Sequence, residues 1–196
     1  MDSNLKELIN LTVETMDKAG KLVGMEASAG KAALANLVNY LMYLSSSDGQ
    51  IKPEEVRFIS DVADAQIPAE CMADYIRENN IYSTEFENDV PAALQFAVAL
   101  DNELYKRGLN EQLDNRNLSE IIMQTFGYVG NALIGSDGDI DDNEKSDFMI
   151  YMGMMNKYIK DNLLSRNGAS TGPEEVYDNS IPVPPKNGWV EAPRKA

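Results

Sequence analysis

The sequence predicts an all-α protein, a compact helical bundle with an internal duplication and a disordered C-terminal tail. Three observations carry this reading. Apolar residues recur at helical spacing almost from the first residue. Three of the eight prolines, Pro53, Pro68 and Pro91, stand where a new helix would open, at the N1 position whose N–H has no intrahelical partner in any case. No run alternates apolar and polar residues between hairpin turns, so strands are not expected.

The elements follow in order. Leu5, Leu8, Ile9, Val13, Met16 and Val23 make one apolar stripe, with Asp2 or Ser3 as N-cap. Residues 25–30, rich in Ala, Ser and Gly, read as a connection. Leu34, Leu37, Val38, Leu41 and Leu44 continue as a second helix ending near Ser45 to Ser47. The prolines then open helices over 53–65, 68–80 and 90–107, the last stopped by Gly108. Asn117 followed by Glu120 has the form of a capping box for a helix over 118–135. A final helix over 142–164 carries Phe148, Met152, Met155, Ile159 and Leu163 on one face, with Met149, Tyr151, Met154 and Tyr158 around it. It is apolar nearly all round, which predicts a central buried helix filled out by adaptable methionines. The other five prolines all follow Arg166, in a stretch with little apolar content beyond Ile181, Val183 and Trp189. Such a segment cannot bury enough surface to offset its ordering entropy. The expected division is therefore a helical domain over 1–165 and a flexible proline-rich tail over 166–196.

Composition narrows the chemistry. The chain has 196 residues, one cysteine and no histidine, with 32 acids against 17 bases for a formal charge of -15. The single Cys71 excludes an internal disulfide; it lies near a helix start, a place that lowers a thiol's pKa, but a lone thiol is more often merely buried. Without histidine there is no Cys/His zinc site and no Ser-His-Asp triad, so a bound metal would be a hard cation held by oxygen. The negative field disfavours nucleic acid and anionic membrane and favours cations and basic protein surfaces. The N-terminus is acidic where a signal peptide would be basic, and no stretch reaches the roughly 20 apolar residues of a membrane span. These features predict a cytoplasmic protein without organic cofactor, membrane insertion or nucleic-acid partner, and with an unidentified protein partner.

Two segments match at an offset of 89 residues. Ser47-Asp48-Gly49-Gln50-Ile51 runs on through Lys52, Pro53 and Glu54 to Glu55; Ser136-Asp137-Gly138-Asp139-Ile140 runs on through Asp141, Asp142 and Asn143 to Glu144. Both read S-D-G-x-I-x-x-x-E, and each follows a 16-residue stretch without a charged side chain, 32–47 and 121–136. We take the repeat units as about 32–64 and 121–153. In each, a buried helix ends, Asp-Gly turns the chain, Ile returns to the core and a helix opens with acids in its first turn.

Two readings of these acids stand side by side. Asp137, Asp139, Asp141, Asp142, Glu144 and Asp147 crowd eleven residues against Lys145 alone, a repulsion that a divalent cation would relieve. Equally, Asp141 and Glu144 have capping-box spacing and the turn can be a solvated surface. In the first copy Lys52 has no acceptor to cap with, yet Glu55 is kept, which points beyond capping. The turns are not EF-hands, because loop positions one and three would fall on Leu44 and Ser46, or Leu133 and Gly135.

The duplicated helix-D-G-x-I-x-x-x-E-helix unit resembles the TerB family of tellurite-resistance proteins and the N-terminal domain of membrane-anchored DnaJ-like co-chaperones. The resemblance covers about 30–164 and rests on Asp48, Gly49, Ile51 and Glu55, and on Asp137, Gly138, Ile140 and Glu144. It implies a bundle of about seven helices with both acidic turns on the surface. It also implies a non-enzymatic scaffold or sensor in a stress response that binds a divalent metal, Ca²⁺, Mg²⁺ or Mn²⁺, at Asp137, Asp139, Asp141, Glu144, Asp48 and Glu55. Gln50 and Lys52 depart from a fully acidic first turn. The alternative to that function is a metal-independent acidic adaptor for a basic protein partner. A metallo-hydrolase would require a nucleophile, base or phosphate loop that the sequence does not display.

Overall fold

A computed structural model describes residues 2–46, 51–78, 90–114, 116–136 and 142–164, with Tyr75, Ile76 and Glu144 described in backbone only. Among these are seven α-helices: α1 Ser3–Val23, α2 Ala29–Ser45, α3 Pro53–Ala63, α4 Ala69–Glu78, α5 Ala92–Arg107, α6 Leu118–Ile134 and α7 Asp142–Asn162. A 3-10 turn, Asn110–Leu113, lies between α5 and α6. The described residues include no strand and no helix long and apolar enough to cross a membrane. The predicted tail, 166–196, lies outside the described residues.

The local signals act where the sequence puts them, with small shifts. Asp2 caps α1 by accepting the Asn4 N–H at 3.1 Å. Pro53 is the first residue of α3, but Pro91 is the N-cap of α5 and Pro68 precedes α4. Gly24 and Gly108 end α1 and α5 with φ of 93° and 66°, a region closed to most side chains. Each is followed by the same bond back into the helix, Met25 N–H to the Gly20 carbonyl and Leu109 N–H to the Leu104 carbonyl, both 2.9 Å. The sequence offered no sign of the 3-10 turn.

The duplication is larger than the repeated turn. Helix starts at 29 and 53 recur at 118 and 142, and the end at 45 recurs at 134, each a shift of 89. The preceding helices correspond as well, since Gly24 matches Gly108 and Asp17 matches Asp101 at a shift of 84. The missing five residues are the difference between the connections, 24–28 and 108–117. Among the described residues the helices thus form two three-helix units, α1–α3 and α5–α7, with α4 between them in sequence.

The units pack about a pseudo-two-fold. Within them α1 lies on α2 as α5 lies on α6, and α2 on α3 as α6 on α7; between them α1 meets α6 as α5 meets α2. Helices α2 and α6 form the centre. Leu34 and Leu37 face Ile122 and Phe126, Tyr40 stacks on Phe126 at 5.1 Å, and Leu44 lies over Gly130. The numbers rise together, so the two helices run the same way and both end at one end of the bundle. Around them Met16, Ile59, Leu94, Leu104, Met152, Met155 and Ile159 complete the core.

The last helix corrects its expectation. Phe148, Tyr151, Met152, Met155 and Ile159 are buried, but Met149, Gly153, Lys157 and Lys160 face outward, so α7 is a covering helix with one buried face. The buried face is the one that the spacing of Phe148, Met152, Met155 and Ile159 predicts; the apolar side chains outside it, Met149 among them, made the helix read as central. Cys71 likewise is exposed, not buried, on the open side of α4.

Candidate functional site

Acids in this fold do two kinds of local work, and the first is clamping helix starts. A helix leaves its first backbone N–H groups without intrahelical partners, and a carboxylate is the natural acceptor for them. Asp17 of α1 supplies one for α2: its Oδ1 accepts the Gly30 N–H and the Ser28 hydroxyl, both at 2.8 Å. The Gly30 N–H, then the Ser28 hydroxyl, hold the Asp17 carboxyl below its ordinary value of 3.8, with Lys21 and Lys31 adding and burial opposing. Asp101 of α5 does the same for α6, and more completely. It accepts the Leu118 N–H at 2.8 Å, the Ser119 N–H at 2.9 Å and the Ser119 hydroxyl at 2.7 Å, at 1 % exposure. Both clamps sit seven residues before a helix-stopping glycine.

Asn117 stands at the N-cap of α6, as expected, but its side chain does not do the capping. It makes no side-chain cap bond; its Nδ2 donates to Glu120 Oε1 at 2.8 Å, while Asp101 takes the N–H groups. The carboxylate wins because it arrives from the neighbouring helix with two oxygens and a charge. The only sequence signal for it is the repeated spacing of Asp17 to Gly24 and Asp101 to Gly108.

The second group is the nominated metal set. Asp48, Asp137, Asp139 and Asp141 lie outside the described residues, as do Gly49 and Gly138. Glu144 falls in the first turn of α7, described in backbone only. Glu55 is therefore the one nominated side chain that is described. It is buried at 2 % exposure, and its Oε2 accepts the Lys52 N–H at 2.8 Å. This is the reciprocal half of a capping box, which needs only the backbone N–H at the cap position. The inference that Glu55 exceeds the needs of capping is thus corrected: Lys52 offers no side-chain acceptor, yet Glu55 caps. Ile51 beside it is partly buried against the core, as the turn requires.

Flanking the second turn, Lys145 lies 3.7 Å from Asp142 one turn earlier on α7. Among the described residues no three Asp, Glu or Cys side chains converge as a metal site. A separate open cleft of about 360 Å³ lies between the start of α1 and the end of α3, lined by Lys6, Ser60, Asp61, Asp64, Ala65 and Gln66.

The arrangement brings the helix ends that carry both acidic turns to one end of the bundle, after Ser45 and after Ile134. Comparison with protein families, with curated proteins and with solved structures finds no match for the chain.

Proposed function

We propose that this protein is a non-enzymatic, divalent-cation-binding helical module of the TerB type, acting as scaffold or sensor in a stress response such as tellurite resistance. The observation that carries the reading is the register of the duplication. The helices on either side of the two D-G-x-I-x-x-x-E turns begin at the same offset of 89, and the common direction of α2 and α6 puts both turn-bearing ends together. Two such helix ends on one side of a bundle suit a paired site for hard cations, whose ligands are carboxylate and carbonyl oxygens.

The second turn is the stronger half. Asp137, Asp139, Asp141 and Glu144 supply four carboxylates over eight residues. At the first turn Asp48 and Glu55 are fewer, and Glu55 already spends one oxygen on the Lys52 N–H. A cation there would share Glu55 with the cap of α3. In the cytoplasm such a module would answer to free cation concentration and pass the change to a protein partner.

The burial of Glu55 favours one second reading, an adaptor without metal whose net charge of -15 attracts a basic protein surface. The two separate by ion specificity. A cation that binds only the folded form stabilises it by RT ln(1 + [L]/Kd), about 2.7 kcal/mol at a hundredfold excess over Kd. We expect Ca²⁺, Mg²⁺ or Mn²⁺ to raise the melting temperature by several degrees more than NaCl of equal ionic strength. Asp137→Asn with Glu144→Gln should abolish that difference, and Asp48→Asn with Glu55→Gln should remove less of it. Equal responses to divalent salt and to NaCl would leave the adaptor as the reading.

A further inference from the structure

The two units occupy equivalent places in the fold but are not interchangeable at their meeting point. By the shift of 89, Tyr40 of α2 corresponds to Val129 of α6, and Leu41 corresponds to Gly130. All three side chains, Tyr40, Leu41 and Val129, are fully buried. Unit one therefore brings Tyr-Leu to the pseudo-two-fold, and unit two brings Val-Gly. The large member of one unit fills the place left by the small member of the other. A Cβ at Gly130 would lie 2.8 Å from the Tyr40 hydroxyl oxygen, 3.1 Å from its Cε1 and 3.2 Å from Leu44 Cδ1.

The Tyr40 ring is buried and packs against Phe126 at 5.1 Å and Tyr151 at 5.4 Å, contacts it would have to give up to make way for a side chain at position 130. Two copies of unit one joined in the same way would set Tyr40 against a leucine where the glycine stands. Two copies of unit two would leave a void the size of the ring, and a void of that size in a close-packed core is strongly destabilising.

We infer that Tyr40 and Gly130 form a knob and hole at the pseudo-two-fold axis that makes the duplicated units unlike partners, each shaped for the other and neither for a second copy of itself. The surface of α2 around Tyr40 is thus an interaction face whose partner is the α6 face of this same chain. Size asymmetry at one pair sets the pairing in place of charge.

The mild test uses Gly130→Ala in the full chain, alone and with Tyr40→Phe. Alanine favours a helix interior over glycine, so without the knob the change would stabilise. With the knob in place we expect Gly130→Ala to lower the melting temperature by roughly 5 °C. In the Tyr40→Phe background, where the nearest obstructing atom is gone, the drop should fall to less than half. An equal drop in both backgrounds, or no drop in the wild type, overturns the inference. The stronger test exchanges the pair across the axis, Tyr40→Val/Leu41→Gly with Val129→Tyr/Gly130→Leu. The fourfold variant should melt above each double variant, because it restores large against small with the roles reversed. A fourfold variant melting no higher than either double one would equally reject it.

Discussion

Removing the Asp101 carboxylate is the sharpest perturbation of the fold. Asp101→Ala strips partners from two backbone N–H groups at the start of α6 and from the Ser119 hydroxyl, at a site with 1 % exposure. A hydrogen bond to a charged group contributes about 1.5–3 kcal/mol net. The three bonds share one acceptor, so their contributions do not add in full. Breaking a buried charged arrangement by deleting one partner costs about 3–5 kcal/mol, and we expect that range here. Asp101→Asn keeps one oxygen but turns an NH₂ toward a donor, so about 2 kcal/mol should still be lost. Asp17→Ala removes two bonds at a partly exposed site and should cost about 1 kcal/mol, the ordinary worth of a cap. Urea unfolding followed by circular dichroism at 222 nm gives the three values, with m unchanged if only the native state is affected. If Asp101→Ala costs under about 1 kcal/mol, or no more than Asp17→Ala, the clamp does not hold α6 and the reasoning fails.

Two further outcomes follow from the same geometry. Gly30→Ala would drive a Cβ into the backbone carbonyl of Val13, which cannot move without shifting α1, so a loss of about 1–3 kcal/mol or more is expected in the same urea assay. The Asp17 carboxyl has its folded pKa below its unfolded one, so its stabilisation is complete above pH ~4 and is lost as pH falls through the folded value. The stability gap between wild type and Asp17→Asn should therefore be constant near neutrality and shrink below pH ~4; a gap that widens in acid would contradict the assignment.

The helices were legible because each depends on signals close in sequence. Apolar spacing set their existence, and Pro53, Gly108 and Asp2 set their ends to within a residue or two. What sequence reasoning missed acts between helices. Asp101 and Asp17 cap helices that begin 17 and 12 residues later, and only the matched distance to Gly108 and Gly24 hints at it. The duplication was visible at the turns, where charge-free stretches and the S-D-G motif coincide. Its extension to α1 and α5 was hidden by the five-residue difference in the connections and by side chains that share little beyond Asp and Gly. Of the candidate site, Glu55 could be weighed against its surroundings, and burial gave it a capping role that Lys52 had seemed to exclude. The buried face of α7 was legible in the spacing of Phe148, Met152, Met155 and Ile159, but Met149, Met154 and Tyr158 outside it made the helix read as buried all round.

The central functional claim is that the acidic turns hold a hard divalent cation. Isothermal titration of the full chain with Ca²⁺, Mg²⁺ and Mn²⁺ at millimolar concentration tests it most directly. A saturable heat is expected for at least one of these ions, reduced most by Asp137→Asn with Glu144→Gln. The absence of saturable heat for all three would contradict the metal reading and leave the turns as helix caps on an acidic surface.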